Sequence, residues 1–396
     1  MNYHIIPQDK FFYTYIEDIY KIGEETNNIF FVLGNEGDSN LFHTFRFVEY
    51  LGHDENYILE KLIQIKSTDK LFVAWYDVFI ADVIIKSGIQ CKVYSFLMGG
   101  EYYNDPPGYH DFWTYDSKTR YYIRRKVRQH GVLAFPFRSI YKLPYYIYDS
   151  FKHSRELKKK FRHKLATLER LDYIVASKYD HAEVNFIKKL YPTCHAKHVI
   201  GDYDQNVDLA SGVVYDFEDK SGKPLNVLLG NSADPMNNHM DALKYLRAKR
   251  LSNCKIFCPL SYGNEQYRRY ITSWLGNKLE NRFVPLYSYM RREEYIKFLT
   301  TVDLVVMNHN RQQAVGNIIS ALVLGKPVFM KTKSVLYSML MDMNVHHVYD
   351  LKELKKINID SVRLQAYMER DETLKKISNV FSEEVRLLNL KNLLCS

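Results

Sequence analysis

Long apolar runs are missing from this sequence. No stretch of about 18 uncharged apolar residues occurs in the chain, which excludes a membrane-spanning helix. Cysteine is scarce: Cys91, Cys194, Cys254, Cys258 and Cys395 form an odd, scattered set. Cys254 and Cys258 have no second pair at zinc spacing. The set therefore reads as reduced thiols of a cytoplasmic protein, not as a disulfide frame. The opening MNYHIIPQDKFF lacks the basic and apolar regions of a signal peptide, and none is expected. The common phosphate motifs are also missing, both the Walker A loop and GxGxxG. No Asp-x-Asp pair lies at a predicted strand end, so no divalent metal is expected on a bound diphosphate. No Gly-x-Ser-x-Gly elbow and no Cys/His pairing points to a nucleophile. His346 and His347 are adjacent, diverge in an extended chain, and read as structural.

What is present is a chain of 396 residues with ordinary globular composition, long enough for two domains of roughly 150–200 residues. The net charge is +9, but it is concentrated. Lys118 to Lys164 holds fifteen Lys and Arg against two acids, which leaves the rest of the chain slightly acidic. Ten Tyr and Phe lie in the same segment, as in RYYIRRKVR and KLPYYIYDSFK. Basic residues mixed with aromatics suit anionic lipid headgroups. They suit single-stranded nucleic acid as well, or a solvated basic helix pair with its aromatics turned inward.

From Asn226 onward, strands and helices alternate. Asn226–Leu229, Lys255–Cys258, Arg282–Pro285, Asp303–Met307 and Pro327–Met330 read as strands. Asn238–Lys249, Asn264–Leu275, Arg292–Thr301 and Asn317–Leu324 read as helices, and Gly325 falls where a helix end takes a left-handed residue. The first half is less regular. Tyr3–Ile6, Ile29–Leu33, Leu71–Ala74, Lys92–Phe96 and Leu171–Ser177 are its expected strands. The pattern implies an α/β chain of two Rossmann-like domains with parallel sheets. The polar stretch KSGKP marks the boundary. The expected division is 1–220, carrying a basic aromatic insert at 102–165, then 221–370, then an amphipathic helical tail at 371–396.

Ligands of parallel sheets sit beyond the strand C-termini. In the second domain those ends carry GNS (Gly230, Asn231, Ser232), PLSYGN with Tyr262, PLYSY with Tyr287, and NHNRQQAVGN. Gly316 and Asn317 open a helix whose unpaired N–H groups suit a pyrophosphate. Arg311 adds a bidentate cation, and Gln312 and Gln313 suit sugar hydroxyls or a base edge. Tyr262 and Tyr287 are placed to flank a base. In the first domain, Glu101 follows Gly99 and Gly100, where glycines let another group come close. A carboxylate there is a candidate general base, with Asp77 at the neighbouring strand end as a second. His4 and Asp9 border the first strand and complete the acceptor side.

Taken together, VLLGNSADPMNNHMDAL, PLSYGNEQYRRYI and EEYIKFLTTVDLVVMNHNRQQAVGNIISALVLGKPVFM resemble the bacterial TDP-Fuc4NAc:lipid II transferases of enterobacterial common antigen synthesis. The resemblance covers most of the chain and is weakest over about 102–165. Glu101 stands where that family tends to carry Asp. The resemblance implies a GT-B glycosyltransferase whose two sheets face a central cleft. It implies a dTDP- or UDP-sugar donor with no metal and no separate cofactor. It implies a polyprenyl-diphosphate-linked or other glycan acceptor, and no nucleic acid partner. A place on the inner face of the bacterial inner membrane, held through 118–164, follows from it. A nucleotide-sugar epimerase on the same scaffold leaves the basic insert unexplained, and a nucleic-acid-binding protein leaves the four loops without a purpose.

Overall fold

The computed structural model describes residues 1–37, 42–105, 107–127, 143–201, 210, 212–220, 222–246 and 251–395. The middle of the basic aromatic insert, 128–142, lies outside the described residues, as does the expected helix end at Lys249. The chain forms two compact units. One comprises Met1–Tyr109, Arg155–Asp204 and Glu383–Ser396, the other His110–Ser154 and Gln205–Ser382.

The first unit contains β1 (Asn2–Pro7), β2 (Asn28–Leu33), β3 (Val48–Tyr50), β4 (Lys70–Val73), β5 (Lys92–Phe96), β6 (Tyr173–Ala176) and β7 (Lys197–Ile200). They pair in parallel, in the order β3-β2-β1-β4-β5-β6-β7. Runs such as NIFFVL and KLFV form central strands because both faces of such a sheet are covered by helices. Phe30, Val32, Phe72 and Phe96 pack with Ile16 and Ile19 of helix Lys10–Lys21.

The second unit contains β8 (Leu225–Leu229), β9 (Cys254–Pro259), β10 (Phe283–Leu286), β11 (Leu304–Met307), β12 (Val328–Met330) and β13 (Val348–Asp350). Its order, β10-β9-β8-β11-β12-β13, repeats that of β3 to β6 in the first unit. Both are doubly wound sheets in which the winding reverses, at β1/β4 and at β8/β11. Gly325 adopts φ +67 after helix Val315–Val323, as the sequence requires.

Two expectations about domain limits are corrected. Residues 110–154 of the insert group with the second unit, where Asn238, Asp241, Asn310 and Lys331 bond Asp116, Lys118 and Thr119. The chain closes with helices Ile359–Met368, Arg370–Phe381 and Glu383–Cys395; the expected tail at 371–396 is two of these, not one, and the last belongs to the first unit. Extended backbone at Ser382 ends the second of these helices (φ −69, ψ 159). Leu390, Leu393 and Leu394 then enter the first core, while Arg386 makes a buried pair with Asp18 at 2.7 Å. Among the described residues, no helix is long and apolar enough to cross a membrane.

Candidate active site

At the winding reversal of the second sheet, β8 ends in Gly230-Asn231-Ser232 and its neighbour β11 ends in the 308–314 loop. Gly230 has φ +68, and a Cβ there would meet Asn237 Oδ1 at 2.6 Å and His239 Nε2 at 2.7 Å. Only glycine fits such a place. Asn237 organises the turn: its Oδ1 accepts from the Asn231 amide at 2.9 Å and pairs with His309 Nε2 at 2.9 Å. Its amide nitrogen donates to the Ser232 carbonyl and hydroxyl. Gln313 donates to Asn231 Oδ1 at 3.4 Å, so the two loops are joined side chain to side chain. Asn231 in turn donates to the Tyr262 hydroxyl at 3.1 Å.

Helix Val315–Val323 begins behind this joint, two residues earlier than the sequence suggests. The left-handed residue at its start is Ala314 (φ 59), not Gly316, which is already helical. Ala314 at the N-cap makes no side-chain cap bond, so the first turn of the helix keeps the unpaired amides that an anion site uses. Arg311 lies just ahead. Its Nε contacts Met236 Sδ at 2.8 Å and its Nη1 donates to the Gln312 carbonyl at 2.8 Å. His309 is buried and held well below the usual histidine range, first by desolvation and then by the charges of Arg311, His239 and Lys331. It is therefore a neutral ring close to two cations.

Of the expected base-flanking tyrosines, Tyr262 is about half exposed and tied to Asn231. Tyr287 is exposed and donates to Thr272 on helix Glu265–Leu279 at 3.3 Å. Burial first, with Asp234 and Tyr289 after it, pushes the Tyr262 hydroxyl up, and Tyr289 is also exposed. It is in the same PLYSY stretch and could have been read from it.

In the first unit the expected acceptor groups are mostly used internally. His4 is a core residue, stacked between Phe30 and Phe72 and bonded to Asn28 at 2.7 Å and Tyr15 at 3.1 Å. Burial lowers its pKa to about 4. The Asp77 side chain accepts from the Ile80 amide at 2.9 Å and caps helix Val78–Ser87. Asp9 is exposed, and its carbonyl starts helix Lys10–Lys21 by accepting from Phe12. The room left by Gly100 is taken by the Trp75 ring, which a Cβ would meet at 2.5 Å, while Gly99 turns the chain at φ 91. Glu101 is fully buried. Its Oε1 accepts from the amides of Met98 at 2.9 Å and Gly99 at 3.1 Å, while Oε2 has no hydrogen-bond partner among the described residues. Burial raises its pKa to about 7 against the pull of those amides and of Lys164.

Sequence reasoning missed a polar cluster beside the Gly230–Ser232 and 308–314 loops: Asp116, Asn238, Asp241, Asn308, Asn310 and Lys331. Lys331 follows β12 directly and donates to Asp116 Oδ2 at 2.5 Å. The partners are 215 residues apart in sequence, beyond the reach of any periodicity.

Residues 144–387 match the sequence model of the 4-alpha-L-fucosyltransferase family, glycosyl transferase group 56. Among solved structures, Anabaena Alr3699/HepE in complex with UDP and glucose superimposes with TM-score 0.59 at 10% identity, over 100% of this chain and 99% of that one. Sucrose-phosphate synthase (tll1590) from Thermosynechococcus elongatus gives 0.60 at 9% identity, over 99% and 98%. An alpha,alpha-trehalose-phosphate synthase (UDP-forming) from Burkholderia vietnamiensis gives 0.55 at 10% identity, over 100% of both chains. The architecture is thus the two-domain GT-B fold.

Proposed function

The chain belongs to the 4-alpha-L-fucosyltransferase family, glycosyl transferase group 56, and from that premise we propose that it moves a sugar from a nucleoside diphosphate to a hydroxyl of a glycan acceptor. The observation that carries this reading is the joint between Gly230–Ser232 and the 308–314 loop, beside an uncapped helix start and Arg311. The donor is dTDP- or UDP-linked, with a deoxy-amino sugar such as Fuc4NAc the first to try. The acceptor is a polyprenyl-diphosphate-linked glycan of a bacterial surface polysaccharide.

As the glycosidic bond to the donor breaks, negative charge grows on the departing nucleoside diphosphate. The helix dipole at Val315–Val323 and the Arg311 guanidinium stabilise it, so the chain's own groups do the work of a divalent ion. Asn231, Gln312 and Gln313 orient the sugar or base by hydrogen bonds. Glu101 is the proposed base. A carboxyl at about 7 exchanges protons readily near neutral pH. The 98–104 turn has to open for an acceptor hydroxyl to reach Oε2.

A lipid surface is proposed for the helix Leu143–Leu168. Tyr145, Tyr148, Lys152, Arg155, Lys159 and Arg162 are all exposed and follow one face at alternating three- and four-residue steps. Aromatics and cations on one face match anionic headgroups at the interface. Sedimentation with anionic vesicles, and none with neutral ones, is the expected outcome. Equal binding to both would sink the charge argument.

The deciding test is a thermal-shift screen with dTDP, UDP and GDP, with and without Mg²⁺. A saturating ligand adds roughly 2.7 kcal/mol at about 100 times its Kd. We expect a shift with dTDP or UDP that does not need Mg²⁺. Arg311→Ala should weaken that binding by roughly 1.5–3 kcal/mol, the worth of a charge-assisted bond. No shift from any nucleotide would remove the donor site.

A further inference from the structure

Lys331 and Asp116 form a partly buried joint that the donor reading leaves unused. All three hydrogens of the Lys331 ammonium have acceptors: Asp116 Oδ2 at 2.5 Å, Asn310 Oδ1 at 2.7 Å and the Asn308 carbonyl at 3.1 Å. The Asp116 carboxylate is equally occupied. It also accepts from Asn308 at 3.3 Å and Asn310 at 3.2 Å. The backbone joins in: the Asp116 amide donates to Asn238 Oδ1 at 2.7 Å, and Asn238 donates to the carbonyls of Thr114 and Asn308. One turn further on, the Asp241 carboxylate accepts from the amides of Lys118 and Thr119 at 3.0 Å each and from the Thr119 hydroxyl at 2.8 Å. A carboxylate from one helix thus caps helix Ser117–Tyr122 across space.

The consequence is geometric. Residues 308 and 310 are gripped from three sides, by Lys331, Asp116 and Asn238, and the next residues are Arg311, Gln312 and Gln313. A fully bonded ammonium has no hydrogen left for a ligand. Its effect is therefore exerted through the loop it holds. We propose that Lys331 and Asp116 are a positioning pair for the nucleoside diphosphate, fixing the 308–310 backbone so that Arg311 and Gln313 face it. This rests on the donor reading above. It adds that the inserted segment around Asp116 is part of the donor half of the molecule and sets donor affinity.

The test measures Kd for dTDP and UDP by calorimetry, together with the melting temperature, in the full-length protein. Lys331→Met is expected to raise the Kd about tenfold or more, the scale of losing one well-aligned charge-assisted bond. Lys331→Arg, which keeps the cation, should recover part of it. Asp116→Asn keeps shape and removes charge. It should raise the Kd several-fold while the protein still melts cooperatively, and adding it to Lys331→Met should cost little more, because the two act as a unit. A lowered melting temperature with an unchanged Kd in Asp116→Asn and Lys331→Met would make the joint merely structural and overturn the proposal. If Lys331→Met does not fold, Asp116→Asn alone decides. Wild-type protein that binds neither nucleotide would overturn the donor reading and this pair with it. Wild-type binding with unaffected variants would overturn only the pair.

Discussion

The two units share a strand order and use it differently. In the first, the candidate groups serve the fold itself: Asp77 caps its helix, Glu101 bonds its own turn, and His4 bonds Asn28 and Tyr15 in the core, while the bonds between loops are made by other residues, Asp105 to Val78 and Lys164, and Gln8 to Asn35. Beyond the strand ends of the second, the candidate groups cross from loop to loop, Asn237 to His309, Gln313 to Asn231, Lys331 to Asp116. Self-bonded groups stabilise a sheet edge but fix nothing beside it. Cross-bonded loops are pre-organised relative to one another, which is what binding a ligand without reordering requires. A doubly wound sheet thus offers a place for a ligand, and the loops decide whether it is a site.

The comparison can be broken most forcefully through the buried ion pairs. Each unit ties a late helix to its body with one: Arg386 to Asp18 in the first, and Arg363 to Asp303 at 2.6 Å in the second. Removing one partner strands a buried charge, at about 3–5 kcal/mol. We expect Arg386→Met to lower the denaturation midpoint steeply while dTDP affinity of the still-folded protein is kept. Arg363→Met should destabilise to a similar degree. Loss of nucleotide affinity in Arg386→Met would argue against independent units.

A second effect is pH-linked and belongs to the first unit. Burial raises Glu101 to about 7 from the usual 4.5 of a free carboxyl, so between these values the folded protein keeps its proton while the unfolded chain releases it. Stability from this group is complete below about 4.5 and is lost as pH rises to about 7. Glu101→Gln should therefore be more stable than wild type at pH 8, by on the order of 2 kcal/mol, with the gap closing by pH 4. Denaturant melts at the two pH values check this. A gap independent of pH would refute the linkage.

The smallest expected difference sharpens the comparison most. Gly88 and Gly230 share φ +68. Nothing lies within 4 Å of a Cβ built on Gly88, whereas Gly230 faces Asn237 and His239. Gly88→Ala should cost about 1 kcal/mol, for conformation alone. Gly230→Ala should exceed it by at least about 1 kcal/mol and weaken nucleotide binding as well. Equal costs would mean that the Gly230 turn relaxes freely.

Much of the fold was legible because buried parallel strands are continuous apolar runs. VLL, LVVM and KLFV could be little else between turn signals. β3, β7 and β13 were not legible, since VEY, KHVI and VYD mix polar with apolar residues and hold no apolar run. In the candidate site, GNS, Arg311, Gln313 and Tyr262 were legible from their places at strand ends. Asp116 and Lys331 were not, because their meaning comes from a partner more than two hundred residues away. His4 was misplaced for the converse reason. A histidine beginning a strand reads as available until the rings that stack on it are known.

The sequence by itself determined the two parallel sheets, the left-handed turn at Gly325, and the loops that leave the strand ends, since each follows from local periodicity and backbone chemistry. Only the tertiary structure decided that the tail returns to the first unit, that residues 110–154 group with the second, and that Glu101 is enclosed. These are set by burial and by pairing between distant residues, and neither is a property of any short stretch of chain.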